Sequence, residues 1–505
     1  MITEKFVSSR KRRYLFLLFT WLRKMKKSDI MAVYPDRSMD KSMLSGRKIA
    51  LAALALIPGV LLMDFILAGG SPASYQDLAR QMLRKGLAEQ GAFTVLEKIT
   101  SLGPRLPGSS QAEAAVALTF DLLKKMGFED VHLEPAEVEH WVRGPKEEAW
   151  VVSPGGGMVP LSVCALGGSI GTAEAGLTAE VLEVRSFDEL HAAGGKAQGK
   201  IIFFNRPWDQ TYLETFAGYG VAVQPRDRGA VEAAQAGGVG VLVRSATTSL
   251  DDFPHTGLMH YDSRTSKVPA AALSTKAADR LSAVLKLDPG ARVHLRMSCR
   301  TEAPVMSSNV VGQITGTARP AEVVLVGGHL DSWDLGTGAH DDGAGCSQAV
   351  EALRLIKDLG LKPKRTVRAV LFMDEEFGGL GGRAYARSER RKTEKHLAAL
   401  ESDRGGFRPL GFGLGNANTF SRFKKWEPLL RAVGLFFFGP GGGGVDIAPL
   451  AEGGTVLGGL VPDSQRYFDV HHSGRDTLDS VNPRELELGA VAMAVLAYIL
   501  AEEGT

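Results

Sequence analysis

Five clusters of acidic and imidazole residues lie in order along the C-terminal half of the chain: His329-Leu330-Asp331, Asp341-Asp342-Gly343, Glu375-Glu376, Asp403 and His471-His472. Carboxylate oxygens and imidazole nitrogens are ligands for divalent cations, and this set is large enough for two ions with a carboxylate to spare. Metal-assisted hydrolysis is the chemistry such a set supports, the spare carboxylate moving protons.

The spacing within each cluster sharpens this. A carboxylate two positions after His329 is placed to accept the second ring N–H and so fix the tautomer of a metal-bound imidazole. Asp341-Asp342-Gly343-Ala344-Gly345 opens a helix; Asp342 reads as its cap, which leaves the two oxygens of Asp341 free to bridge two cations. Glu375 and Glu376 are adjacent carboxylates at the end of an apolar strand, and they repel each other unless a cation or proton intervenes. If the strand continues through them, they point opposite ways, one to metal and one to substrate. Asp403 precedes Gly405-Gly406, a setting that also suits an ordinary turn aspartate. On spacing alone either His471 or His472 can be the last ligand.

The elements that must position these residues follow a strand, loop, helix pattern. Glu322 to Val326 and Thr366 to Met373 read as buried strands, with a helix from Ala344 to Leu359 between them and a further strand at Leu397 to Leu400. This predicts an α/β layer around a mixed, largely parallel sheet flanked by helices. Ligands bind such sheets beyond the carboxyl ends of the strands, where the clusters fall. Upstream, helices are expected over Tyr75 to Gln90, Phe93 to Ile99 and Gln111 to Met126. From Val138 to Arg300 the texture changes to short strands and turns rich in Gly and Ala, with no cluster of catalytic residue types, and it reads as an inserted domain. The segments are therefore 1–73, 74–137, 138–301 and 302–505, more than one core being the expectation for 505 residues.

With 59 basic and 57 acidic residues, the chain offers no whole-chain argument for a nucleic-acid partner, and none is expected. The three cysteines lack metal-site or disulfide-framework spacing. The N-terminus departs from this neutrality. Basic residues are dense from Lys5 to Lys48, and an apolar run follows from Ile49 to Leu67. Counted from Met43 this has the layout of a cleavable signal peptide; counted from Met1 it is long enough to anchor in a membrane, although Pro58 and Asp64 weaken a spanning helix. Both readings place the body of the protein outside the cytoplasm, periplasmic, secreted or tethered.

Taken together, Gly328-His329-Leu330-Asp331-Ser332, His340-Asp341-Asp342-Gly343-Ala344-Gly345, Asp374-Glu375-Glu376-Phe377-Gly378, Glu401-Ser402-Asp403 and His471-His472-Ser473 make the chain resemble the co-catalytic zinc exopeptidases, the clan of leucyl aminopeptidases and glutamate carboxypeptidases. The likeness runs from about Phe93 to the C-terminus, and the insert resembles a protease-associated domain. The resemblance implies two zinc ions per chain, His329 and Asp403 on one, Glu376 and His472 on the other, and Asp341 between them. It implies Glu375 as general base to a metal-bound hydroxide, Asp331 as the group orienting His329, short peptides or dipeptides as substrates, and a homodimer as one possible state. Many relatives carry a tyrosine before the last histidine, where this chain has His471. We expect His471 to donate to the tetrahedral intermediate in its place, with activity sensitive to its protonation near neutral pH. The alternatives are a catalytically silent, receptor-like binding protein and a single-zinc cyclotransferase; a complete ligand set argues against both.

Overall fold

The computed structural model describes residues 74–152 and 157–505. The basic N-terminus and the Ile49 to Leu67 run, read above as signal peptide or anchor, lie outside them. Among the described residues no helix is long and apolar enough to cross a membrane.

Uninterrupted apolar runs become strands covered on both faces, because a strand buried on both sides has no position for a polar residue. Val323 to Val326 and Val367 to Phe372 contain such runs, and all their apolar residues are buried. They lie in the strands Arg319–His329 and Arg365–Phe372, which pair in parallel at the centre of an eight-stranded sheet. Lys395–Glu401 and Val456–Pro462 continue the parallel part, and the outer strands Glu129–Val138, Val305–Ile314 and Pro409–Leu414 join antiparallel. The sheet is thus mixed, parallel where the site is built, with antiparallel pairs on either side and a last edge strand, Phe437–Gly439, parallel to its neighbour.

Helices cover both faces. Ala344–Asp358 and Pro483–Glu503 pack with Tyr75–Glu89 and Gly91–Thr100 over one side, in a core that includes Val324, Leu353, Leu371 and Leu496. Leu380–Arg387 lies on the other, where Tyr385 packs with Leu325, Phe372 and Ile447. Element ends follow local chemistry: the Ser74 hydroxyl caps Tyr75–Glu89, and Gln90 in a left-handed conformation, φ 51°, turns the chain into the next helix.

Glu129–Val138 and Val305–Ile314 are neighbours in this sheet, yet a second eight-stranded sheet lies between them in sequence. Its middle strands, Leu177–Val184, Ile201–Phe204, Gly240–Arg244 and Ala270–Leu273, are parallel and carry a core of their own around Phe203, Leu242 and Leu273. A two-stranded ribbon, Trp141–Val142 against Arg300–Thr301, forms the neck of the insert.

Candidate metal centre

Three of the clusters come together because each hangs from the carboxyl end of a central strand. His329 is the last residue of its strand, Asp403 lies just past Glu401, and Glu375 and Glu376 sit in the turn after Phe372. Asp341 precedes the helix that starts at Ala344, and His471 and His472 follow the short helix Tyr467–Val470. Glu375 and Glu376 therefore do not continue an extended strand, as the sequence suggested. Asp374 adopts φ 74° and turns the chain, and Asp331 Oδ1 accepts its N–H at 2.8 Å. His472 is the other non-glycine at the site with positive φ, 59°, and its carbonyl accepts from Thr256 N at 2.9 Å. Such conformations cost on the order of 1–3 kcal/mol and persist where surrounding contacts impose them.

Asp341 stands at the centre. Its Oδ1 is 3.2 Å from His329 Nε2, which is itself 3.4 Å from Asp403 Oδ1. Its Oδ2 is 3.1 Å from His472 Nε2, which is 3.2 Å from Glu376 Oε2. Glu375 Oε2 lies 4.0 Å from His329 Nε2, and His471 Nε2 lies 3.5 Å from Asp341 Oδ2. Seven of the eight candidate site residues are thus in one place around Asp341, and the eighth, Asp331, stands behind His329.

The donor set fits metal ions on two counts. His329 Nδ1 donates to the Asp331 carbonyl at 3.0 Å and His472 Nδ1 to the Thr256 carbonyl at 3.3 Å, so each ring faces inward with Nε2, the nitrogen that would take a metal ion in place of a proton. Among the buried side-chain atoms without a hydrogen-bond partner are His329 Nε2, Asp341 Oδ2 and Glu376 Oε1, all aimed at this centre. His329, Asp341 and Asp403 form one group with ligand atoms close enough for a single ion, and Asp341, His471 and His472 form another. Burial and the neighbouring Asp403 and Glu376 hold the pKa of Glu375 well above the usual carboxylate value. Burial raises Asp341 as well, but His329 and His472 outweigh it and keep its carboxyl well below that range.

Comparison with known proteins follows the same residues. The model of peptidase family M28 matches residues 309–499, the stretch that holds every candidate ligand. Mouse carboxypeptidase Q is 37% identical over 435 residues, 85% of this chain and 90% of its own length. The chain belongs to peptidase family M28. A solved M28 peptidase precursor from Shewanella amazonensis superposes with a TM-score of 0.81 at 36% identity, covering 86% of this chain and 98% of its own. A zinc aminopeptidase from Bacillus subtilis, 19% identical with a TM-score of 0.58, shares the fold over 80% of this chain and 94% of its own.

Within this M28 site three expectations change. The Asp331 carboxylate does not take the ring proton of His329: its Oδ1 is 3.7 Å from Nδ1, and the Asp331 main-chain carbonyl accepts instead. The carboxylate reaches the next loop and accepts the N–H groups of Asp374, Glu375 and Glu376, so it positions the turn that carries Glu375 and Glu376 more than the imidazole. His471 is not poised to titrate near pH 7. Burial and the adjacent His472, stacked 3.5 Å away, hold its pKa well below 6.5, so it is neutral there. Nor is the insert chemically silent. His255 Nδ1 donates to the His471 carbonyl at 2.6 Å, Tyr219 packs edge-on against the His471 ring at 5.1 Å, and Arg226 Nη1 comes within 3.4 Å of His472 Nδ1.

Two further residues have roles that the sequence did not show: Asp476, which served there only to choose His472 over His471 as the ligand, and Arg105. Asp476 accepts from His340 N at 2.7 Å and Asp341 N at 3.1 Å, fixing the backbone of the shared carboxylate. Arg105, fully buried, donates to the carbonyls of Leu330, Thr337 and Gly338 and ties together the loops on either side of the site. Its sequence context, a Gly/Pro loop more than 220 residues upstream of these partners, carries no signal of that role.

Proposed function

We propose that the protein is a dinuclear zinc exopeptidase that hydrolyses dipeptides and short peptides, exported through its basic and apolar N-terminus. The observation that carries this reading is the division of Asp341, one oxygen toward His329 and Asp403 and the other toward His472 and Glu376. These five side chains would hold the zinc ions, which when bound supply Lewis acidity to the scissile carbonyl and to water.

The chain's own residues supply the rest. Glu375 stands beside the two ligand sets and shares neither shell. Its raised pKa suits a group that takes a proton from the attacking water and returns it to the leaving amine. His471, neutral and next to Asp341, offers an N–H to the carbonyl oxygen as that oxygen gains charge. Asp331 holds the turn that carries Glu375 and Glu376. Carboxypeptidase Q and the Bacillus aminopeptidase act, by name, at a chain end, which supports exopeptidase action.

The test is hydrolysis of free, N-blocked and C-blocked dipeptides by the full-length protein and its Glu375→Gln variant, with zinc measured in both. The reading predicts turnover of free dipeptides, lost in the variant at unchanged zinc content. Zinc-loaded protein that turns over none of the panel would move the assignment to a binding role.

A further inference from the structure

The two inward-facing imidazoles are held by different parts of the chain. His329 is oriented by a carbonyl of its own loop, Asp331. His472 is oriented by the carbonyl of Thr256, which belongs to the insert. That carbonyl has a second suitor: Arg226 Nη1 donates to it at 3.2 Å and stands 3.4 Å from His472 Nδ1. When Nε2 is a ligand, Nδ1 carries a proton, and a guanidinium has only donors, so the two groups share one carbonyl oxygen, which has two lone pairs, and make no bond to each other.

Arg226 is an unusual neighbour for a metal ligand. Its Nε has no hydrogen-bond partner among the described residues, and its guanidinium sits 5.4 Å from the ring centroid of Tyr219. The arrangement is tightly packed: Gly257 has φ +134°, and a Cβ there would collide with both Arg226 Nη1 and His472 Nδ1. Among the described residues no Arg or Lys side chain hydrogen-bonds to His329 or to the Asp331 carbonyl that orients it, and the carboxylates within 4.0 Å of its ring nitrogens are those of Asp331, Asp341, Glu375 and Asp403.

We propose that Arg226 is a positioning residue that weakens metal binding at the His472–Glu376 position and leaves the His329–Asp403 position untouched, so that the insert sets which ion exchanges. Two effects act in the same direction. A hydrogen bond from Nδ1–H to a carbonyl raises the basicity of a ligating imidazole, and sharing Thr256 O with Arg226 dilutes it. The guanidinium charge also opposes a divalent ion on the far side of the ring. The inference rests on the dinuclear reading.

The experiment is a zinc titration of the metal-stripped full-length protein in competition with a chromophoric chelator. His329→Ala and His472→Ala assign the binding steps. Arg226→Met is expected to tighten the step that His472→Ala abolishes, by about tenfold, and to leave the other unchanged, while Arg226→Lys stays close to wild type. Gly257→Ala is expected to disturb the same step alone. A weaker or unaltered His472 step in Arg226→Met overturns the proposal, as does an equal change in both steps, the mark of a merely structural role. If Arg226→Met does not fold, Arg226→Gln carries the same expectation. A single binding step in the wild-type protein refutes the dinuclear reading itself, a result distinguishable from all of these.

Discussion

The carboxylate of Asp331 accepts the main-chain N–H of Glu376 at 3.2 Å, across a gap of 45 residues in sequence. With the N–H groups of Asp374 and Glu375 on its other oxygen, it locks the turn that bears Glu375, the proposed general base, to the strand end that bears His329. Asp331→Asn keeps the size but replaces one acceptor oxygen with a donor that opposes these N–H groups. We expect kcat for a free dipeptide and zinc affinity each to fall by about 10- to 100-fold, measured by steady-state kinetics and chelator competition. A variant indistinguishable from wild type in both would remove Asp331 from the account.

Glu375→Gln leaves both ligand sets intact and removes the proton carrier. Turnover is expected to fall by about 10²- to 10⁴-fold with zinc content and thermal stability unchanged. Loss of zinc in this variant would instead mark Glu375 as a ligand.

His471→Phe preserves the stacking on His472 and removes the donor. A loss of about 10²- to 10³-fold in kcat, with zinc retained, is the expected outcome. Because His471 is held neutral well below pH 6.5 by burial and His472, no step in the wild-type pH profile between 6 and 8 should disappear in the variant. Full turnover in His471→Phe would exclude the donor role.

A pH effect on stability arises far from the metal centre. His396 is buried at the start of a central strand; its pKa is pushed down to about 3 by burial and by Arg391 and Arg368. The Tyr385 hydroxyl accepts from Arg368 Nη1 at 3.1 Å and is 2.9 Å from His396 Nε2, so its own proton goes to a neutral ring. Between that low value and the unfolded value of about 6.5, the unfolded chain binds the proton and the folded chain does not. Stability is therefore fully present above that window's upper end and falls as pH drops through it, by up to about 2 kcal/mol at pH 5. His396→Gln, which keeps an acceptor for Tyr385, should flatten the decline of Tm between pH 6.5 and 4; an unchanged slope would show that His396 titrates normally.

How much of this was legible beforehand depends on how local the signal was. Val323 to Val326 and Ala369 to Phe372 announce buried strands because they are unbroken apolar runs, and the candidate ligands at their ends are read from the same local text. The Asp331 contact was misread because the sequence shows only the two-residue spacing to His329; its true partners, 43 to 45 residues on, depend on the turn made at Asp374. Arg105, Arg226 and Thr256 were not visible at all. Their roles come from main-chain carbonyls and from contacts between segments more than 200 residues apart, which residue type does not encode.

The most direct test of the account is the zinc content of the full-length protein at the point where added zinc no longer raises its turnover of a free dipeptide. Because Asp341 serves two ligand sets, the account predicts two zinc ions per chain at full turnover, and loss of both in Asp341→Ala. Full turnover with a single ion per chain would contradict it.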